Sequence, residues 1–267
     1  MRDALRLYGR YVMVSLRGQM QYRASFIMLS LGTFVSSGIE FVGVWVMFER
    51  FGQLRGWRLP EVALFYGMIS LAFAFAEAAT RGFDTFADMV RTGEFDRVLL
   101  RPRSTELQIV GREFQLLRIG RFTQGLVVLI FASTSLQVAW TLQRILLLVL
   151  TVVSGACLFG GLFIIQATLC FWTIDSLEIM NTMTYGGVQA AQYPLTIYRD
   201  WFRKFFTFVV PLATVTYYPA IAILGRSDPL GTSRWFQYLS PLIGGVFLIV
   251  SLFIWRIGVR HYHSTGS

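Results

Sequence analysis

Long unbroken runs of apolar residues constrain this chain more than any other feature of its sequence. A helix needs about 20 apolar residues to cross roughly 30 Å of hydrocarbon, and in lipid only helices and closed barrels satisfy their backbone groups. The runs are continuous rather than alternating, which favours helices over barrel strands. The sequence therefore predicts an all-α, polytopic membrane protein, a single domain over residues 1–267, with six candidate spans at residues 26–48, 62–80, 122–143, 145–172, 205–225 and 235–255.

Composition agrees with that prediction and argues against other classes. Hydrophobic residues make up 55% of the chain, more than a soluble domain needs to fill one core, so the excess must face lipid. The net charge of +9 would suit a nucleic-acid surface in a soluble protein, but the basic residues here lie between apolar runs. That placement is typical of loops that meet anionic headgroups. We therefore expect membrane lipids, and no nucleic acid, among the partners.

The fourth apolar run also contains both cysteines and a group of small residues. Cys157 and Cys170 lie inside the run, where neither a disulfide framework nor a zinc cluster is plausible, so we interpret them as small core residues. Gly155, Gly160 and Gly161 form a face suited to close helix packing. That face could serve internal packing or the seam with a second subunit.

Residues 1–25 predict an amphipathic helix lying on the membrane surface. Apolar side chains recur at spacings of three and four, with arginines between or beside them. The arginines would meet anionic headgroups, although a basic anchor that only fixes topology is the alternative. The apolar positions are Leu5, Tyr8, Val12, Leu16 and Met20, and the basic ones are Arg6, Arg10, Arg17 and Arg23.

The distribution of arginine predicts the orientation. Residues 81–121 hold eight arginines and the first 25 residues hold five, whereas the loop at 49–61 holds three. Because cytoplasmic loops carry the excess of basic residues, the N-terminus and the 81–121 segment are expected in the cytoplasm. An even number of spans returns the C-terminus to the same side.

The fifth span has two possible locations. Residues 174–193 are semi-polar but could cross the membrane if other helices shielded them. Residues 205–224 are more apolar, but prolines leave carbonyls that only protein or water can satisfy. Pro194, Pro211 and Pro219 all fall in this region. We therefore favour an external re-entrant helical hairpin at residues 194–225, between spans five and six.

The basic segment between spans two and three predicts a compact ledge under the membrane. Phe83, Phe86, Met89 and Val90 fall on one face of a short helix that Gly93 could terminate. Further on, Thr105 and Gln108 form a capping-box signal for a second helix. The apolar stripe of that helix comprises Leu107, Val110, Phe114 and Leu117. A ledge of this kind is a docking surface, although a solvated loop that only fixes topology is the alternative.

The run Arg-Thr-Gly-Glu-Phe-Asp-Arg-Val-Leu-Leu-Arg-Pro at residues 91–102 resembles a segment of the permease subunits of type-2 ATP-binding cassette (ABC) transporters, in particular a group of bacterial exporter-like permeases. The resemblance extends over nearly the whole chain, from the interfacial helix to the external hairpin. It implies that residues 84–103 contain the coupling helix, which fits a groove on an ATPase subunit. The implied coupling residues are Phe86, Met89, Val90, Gly93, Glu94, Phe95, Asp96, Arg97, Leu99, Arg101 and Pro102.

The chain has no nucleotide-binding signature of its own. There is no Gly-x-x-x-x-Gly-Lys-Ser/Thr loop, and its one lysine, Lys204, is followed by phenylalanine. We therefore expect no catalytic site and no cofactor bound by this chain, with ATP and Mg²⁺ held by a partner ATPase subunit. The resemblance further implies a second permease, identical or different, export as the direction of transport, and a place in the bacterial inner membrane.

Four acidic residues lie in or beside the predicted spans. A charge at mid-bilayer costs ~2.5–3.5 kcal/mol on insertion scales, so each should face protein or water. The functional hypothesis is that Glu40, Glu77, Asp175 and Glu178 line a translocation path. The alternative is helix packing or an interfacial position.

Two other functional classes compete with a permease. An intramembrane enzyme needs a positioned base or metal, but His261 and His263 lie beyond the last span with no second cluster to join. A secondary transporter or channel should show internal repeats or a pore motif, and we find no convincing repeat. The secondary transporter remains the alternative function.

Overall fold

The computed structural model describes residues 2–173 and 177–262, and within that part the backbone is helical apart from turns, loops and an isolated bridge between Leu54 and Trp57. Short 3₁₀ turns lie at Leu116–Arg118, Leu195–Ile197 and Leu212–Val215. The α-helices are α1 Arg2–Met20, α2 Arg23–Phe51, α3 Leu59–Asp84, α4 Phe86–Arg91, α5 Glu94–Leu99, α6 Thr105–Arg112, α7 Ile119–Ser135, α8 Leu142–Leu169, α9 Leu177–Ala191, α10 Asp200–Phe208, α11 Tyr217–Leu224, α12 Arg234–Leu239 and α13 Leu242–Arg260.

Five segments of the described chain are long and apolar enough to cross a membrane, and there are up to six if a bent pair counts as one span. The bent pair joins Asp200–Phe208 to Leu212–Leu224 at 73°. Helix α9 has 15 residues and is not among the five, and residues 174–176, which precede it, lie outside the described residues. The five segments are Arg23–Phe51, Leu59–Arg91, Leu116–Ser135, Leu142–Leu169 and Leu242–Arg260.

Two predicted span boundaries are wrong. The third helix ends at Ser135 rather than near residue 143, because Gln137 adopts a left-handed φ of 49° and Thr141 already caps α8 with its side-chain oxygen. The last long helix begins at Leu242 rather than near residue 235. Pro241 has no backbone N–H, so it cannot continue the hydrogen-bond ladder of α12.

Helix α3 is the centre of the bundle and packs between α7 and α8. Most of its side chains are buried, on every face of the helix. Close approach depends on small residues of its neighbours: Gly125 of α7 lies against Ser70, and Gly155 of α8 lies against Ala72. Gly161, on another side of α8, meets α13. The small residues of α8 therefore serve packing within this chain rather than a seam with another.

Helix α2 is the least covered of the long helices. Its buried positions, Ser37, Phe41, Val44 and Phe48, recur at spacings of four, three and four and form one narrow stripe against α7. The rest of its surface is largely exposed and apolar, as expected of a helix that faces lipid or another subunit.

Helix α1 is tied to the backbone that leads into α7. Ser15 Oγ donates a hydrogen bond of 2.9 Å to the carbonyl of Phe114, and Gln19 Nε2 donates to the same oxygen. Gln19 Oε1 accepts the N–H of Leu116 at 3.0 Å. These bonds satisfy an extended stretch between α6 and α7 that has no helical partners, so they fix α1 beside α6.

The three prolines singled out in the sequence occupy positions that tolerate them. Pro194 and Pro211 each precede a 3₁₀ turn, and Pro219 lies in the first turn of α11, where a backbone N–H has no helical acceptor. The chain between α10 and α11 bends sharply as a result. A bend of this kind fits either a broken span or a re-entrant hairpin.

Candidate functional site

Helices α4, α5 and α6 form the predicted ledge, which we define as residues 86–112. Its interior is an aromatic cluster. The rings of Phe86 and Phe95 lie 4.9 Å apart, and Phe86 also meets Phe171 at 5.3 Å and Trp255 at 5.0 Å. Tyr262 closes the cluster with a ring 5.0 Å from Phe95. Edge-to-face pairs of this kind add about 0.5–1.5 kcal/mol each beyond their buried area. The ledge is therefore fixed to the end of α13 and to the residues after α8.

The predicted capping box at Thr105 and Gln108 is wrong. Ser104 is the residue before α6, and the Thr105 hydroxyl instead accepts a 3.1 Å hydrogen bond from Trp255 Nε1. Gln108 Nε2 donates to the carbonyls of Val98 and Arg103, which closes the turn between α5 and α6. Both side chains are used for tertiary contacts, which no local pattern in the sequence reveals.

Gly93 makes the sharp break between α4 and α5. Its φ of 68° is left-handed, a conformation that glycine adopts without a steric penalty. The prediction that Gly93 ends the first ledge helix is confirmed, although the last helical residue is Arg91.

The structure divides the predicted coupling residues into buried, half-buried and exposed groups. Phe86, Met89, Val90 and Phe95 are buried inside the chain, so a partner cannot contact them. Glu94 pairs with Arg112 at 2.6 Å, and Asp96 and Gly93 are half-buried. The exposed members are Arg97, Leu99, Arg101 and Pro102.

Leu100 is the ledge residue that the sequence reasoning left out. Its side chain is 86% exposed, beside the 41% exposed Leu99. The turn after α5 therefore presents an exposed leucine pair, which we call the leucine tip. The signal was present in the sequence, since two consecutive leucines before a proline cannot both point inward from a short helix.

A charged cluster lies deeper, at the side of α3. The carboxylate of Glu77 is 2% exposed and accepts ion-pair contacts from Arg118 at 3.4 Å and Arg121 at 3.1 Å. Arg81 pairs with Asp84 one turn further along. Glu77 therefore pairs with two arginines at the start of α7, and its single charge offsets one of their two positive charges.

A polar cavity of about 330 Å³ opens beside this cluster. Arg121 lines it and also lies 5.2 Å from the centre of the Phe73 ring. Glu40 lies at its exposed rim on α2, and within the described residues no arginine is within ion-pair distance of it. Arg121 thus pairs with Glu77 and shares the lining of the cavity with Glu40. The other walls comprise Ser37, Tyr66, Ser70, Tyr185, Gly186, Val188, Gln189 and Gln192.

The two remaining acidic residues of the path hypothesis are not placed. Asp175 lies outside the described residues, and only the backbone of Glu178, in α9, is described. Across residues 2–173 and 177–262, no group of three histidine, cysteine or acidic side chains could hold a metal ion.

Comparison with known proteins gives one match. A family model described as "ABC-2 family transporter protein" matches residues 34–266, which is most of the chain. No curated protein and no solved structure matches significantly.

Proposed function

The chain belongs to the ABC-2 transporter family, and from that premise we propose that it is the permease subunit of an exporter whose energy comes from a separate ATPase subunit. ATP and Mg²⁺ bind to that partner. The proposed place is the bacterial inner membrane, with both termini and the ledge in the cytoplasm, as the excess of arginine at the ledge end favours.

One observation carries the proposal: the ledge combines the exposed leucine tip with a buried cluster of packed aromatic rings. A partner that binds Leu99 and Leu100 pushes on a turn whose base packs against Phe171 and Trp255. Since packed aromatic rings transmit displacement instead of absorbing it, motion of the tip moves the ends of α3, α8 and α13 together. In this proposal the coupling contact is the tip, and the buried ledge residues are its mechanical support.

The exposed face of α2 supports a second permease as partner. Glu40 is exposed there, and a carboxylate facing lipid costs ~2.5–3.5 kcal/mol. On α9, Asn181, Tyr185 and Gln189 are also exposed, at successive turns of the helix. A second permease, identical or different, would cover both polar faces and convert the polar cavity into half of a shared translocation path. The bent α10–α11 pair then forms the external hairpin above it.

The decisive experiment replaces the leucine at the tip. The chain is expressed with an ATPase subunit encoded beside it, and the complex is purified in nanodiscs. Leu100→Asp should lower the amount of ATPase retained by tenfold or more, because the contact would bury a carboxylate without a partner, which costs about 3 kcal/mol or more. Leu230→Asp, at the opposite end of the bundle, is the matched control and should retain the ATPase fully.

Two results would overturn the proposal. The first is a chain that moves solute across vesicles with no ATPase present, which would support a secondary transporter. The second is a Leu100→Asp complex that keeps both its ATPase subunit and normal stimulation of ATP hydrolysis.

A further inference from the structure

An open cavity of about 320 Å³ lies between part of α1 and the ledge. Tyr11 of α1 forms one wall, and the opposite walls come from α4, α5 and α6 and from the turn that joins α5 to α6. This cavity shares no lining residue with the polar cavity inside the bundle, and it includes neither leucine of the tip, although Val98 and Arg101 flank them in the chain. We name it the arginine cavity, because Arg97, Arg101 and Arg112 line it.

The arginine cavity has an excess of positive charge. Arg112 is neutralised by Glu94 at 2.6 Å. Within the described residues, no carboxylate lies within ion-pair distance of Arg97 or Arg101, which are both exposed. Two guanidinium groups without a counter-charge, facing one concave space, favour a ligand that carries a phosphate, since each can donate paired hydrogen bonds to its oxygens.

The cavity is held in shape by contacts on both sides. Gln108 is buried and bonds to the carbonyls of Val98 and Arg103, which fixes the turn that carries Arg101. On the other side, the ring of Tyr11 rests directly on Gly111, where a Cβ atom would overlap it. A preformed site binds a ligand without the cost of ordering the loops around it.

The position beside α1 indicates the source of the phosphate. Helix α1 exposes Met13 and Val14 as well as Arg10 and Arg17. Apolar and basic side chains exposed together on one amphipathic helix are typical of a helix at the headgroup layer of an anionic membrane. A cavity walled by that helix is therefore within reach of lipid headgroups.

We propose that the arginine cavity binds the phosphate of an anionic phospholipid and thereby ties α1 to the ledge. Arg97 and Arg101 donate to the phosphate oxygens, Tyr11 and the stems of the arginines enclose the headgroup, and the acyl chains leave beside α1. The site needs no ATPase subunit, so its test is independent of the transport proposal.

The test titrates the full-length chain alone, in detergent, with short-chain phosphatidylglycerol and follows adducts by native mass spectrometry. The double variant Arg97→Gln/Arg101→Gln should bind the lipid at least tenfold more weakly, because two charge-assisted contacts are lost. The matched control, Arg91→Gln/Arg103→Gln, removes two exposed ledge arginines that do not line the cavity and should bind as the parent does.

Three further compounds, tested by the same mass spectrometry, identify the class of ligand. Short-chain phosphatidylcholine should bind more weakly than phosphatidylglycerol, because it carries no net negative charge. Glycerol 3-phosphate and inorganic phosphate should compete poorly; if either competes as well as the lipid, the cavity is a site for a soluble phosphate and the lipid assignment is overturned. Equal loss of lipid in the two double variants would overturn the site itself, since only total charge would then matter.

Discussion

Two regions lie at different levels of the central helix α3: the aromatic cluster inside the ledge and the polar cavity beside Arg121. The side chains of these two regions are packed in opposite ways. In the cluster, rings fill the space at centroid distances near 5 Å, and the Trp255 indole N–H donates to the Thr105 hydroxyl. The cavity holds open volume, a rim carboxylate and an arginine shared with Glu77. A dense apolar region transmits force, whereas an open polar one can admit and release a ligand.

The largest expected effect tests the dense region. Phe95→Ala removes a fully buried ring from the aromatic cluster and should lower the free energy of unfolding by ~3–5 kcal/mol. Chemical unfolding of the purified chain in detergent measures this change. Leu100→Ala, in the same ledge but 86% exposed, is the control and should change stability by less than ~0.5 kcal/mol. Equal, small losses would mean that the cluster is not the rigid base we describe.

The next largest effect tests the charged cluster of Glu77, Arg118 and Arg121, beside the polar cavity. Glu77→Gln leaves Arg118 and Arg121 without the carboxylate that both contact, and should lower the free energy of unfolding by ~2–3 kcal/mol. This loss is smaller than the ~3–5 kcal/mol expected for a fully buried pair, because the two arginine side chains are 22% and 23% exposed. Unfolding of Glu77→Gln, Arg121→Gln and the double variant measures the coupling. The double variant should be more stable than the sum of the single losses implies, and strictly additive losses would contradict the ion-pair assignment.

The smallest expected effect tests the open region. Glu40→Gln should leave the free energy of unfolding within ~0.5 kcal/mol of the parent, because the carboxylate has no ion-pair partner within the described residues. Transport should fall by about tenfold if Glu40 contacts the solute, a loss of ~1.4 kcal/mol in transition-state stabilisation. The measurement is the ATP-dependent flux, into inverted vesicles, of the solute that the parent complex moves fastest.

Glu49→Gln serves as the control for Glu40→Gln, since Glu49 lies on the same helix but accepts a hydrogen bond from Trp45 instead of lining the cavity. Full-rate transport by a normally expressed Glu40→Gln variant would reject its place on the path. A loss of stability instead of transport would make Glu40 a packing residue and weaken the contrast between the two regions.

The long helices and the ledge could be predicted because their signals are local. Continuous apolar runs placed α2, α3 and α8 to within a few residues, and Gly93 marked the break in the ledge. The apolar face of Phe83, Phe86, Met89 and Val90 was predicted as part of one short helix; the structure puts Phe83 in α3 and buries all four side chains inside the chain, and the role of Phe86, Met89 and Val90 in coupling stays a prediction. Periodicity shows that a helix face is apolar, and it cannot show whether the same chain or another covers it.

Thr105 of the predicted capping box and Leu100 of the leucine tip show the same limit of local sequence patterns at single residues. Thr105 has the right spacing from Gln108, but Trp255, 150 positions away, uses the hydroxyl. The consecutive leucines at residues 99 and 100 indicate that at least one points outward, and the turn after α5 decides that Leu100 is the more exposed of the two. Where a side chain has one local and one distant partner available, the tertiary packing selects between them.

The sequence by itself determined that this chain is helical, that it inserts into membranes and that it lacks a nucleotide-binding loop, because apolar length, arginine placement and motif absence are properties of the chain read in order. The tertiary structure alone decided that Glu77 pairs with Arg121 beside the cavity that Glu40 lines, that the ledge is seated on Trp255, and that Arg97 and Arg101 line one cavity with Tyr11 of α1. These relations join residues many positions apart, and they arise only when helices pack side by side and small residues let their backbones approach.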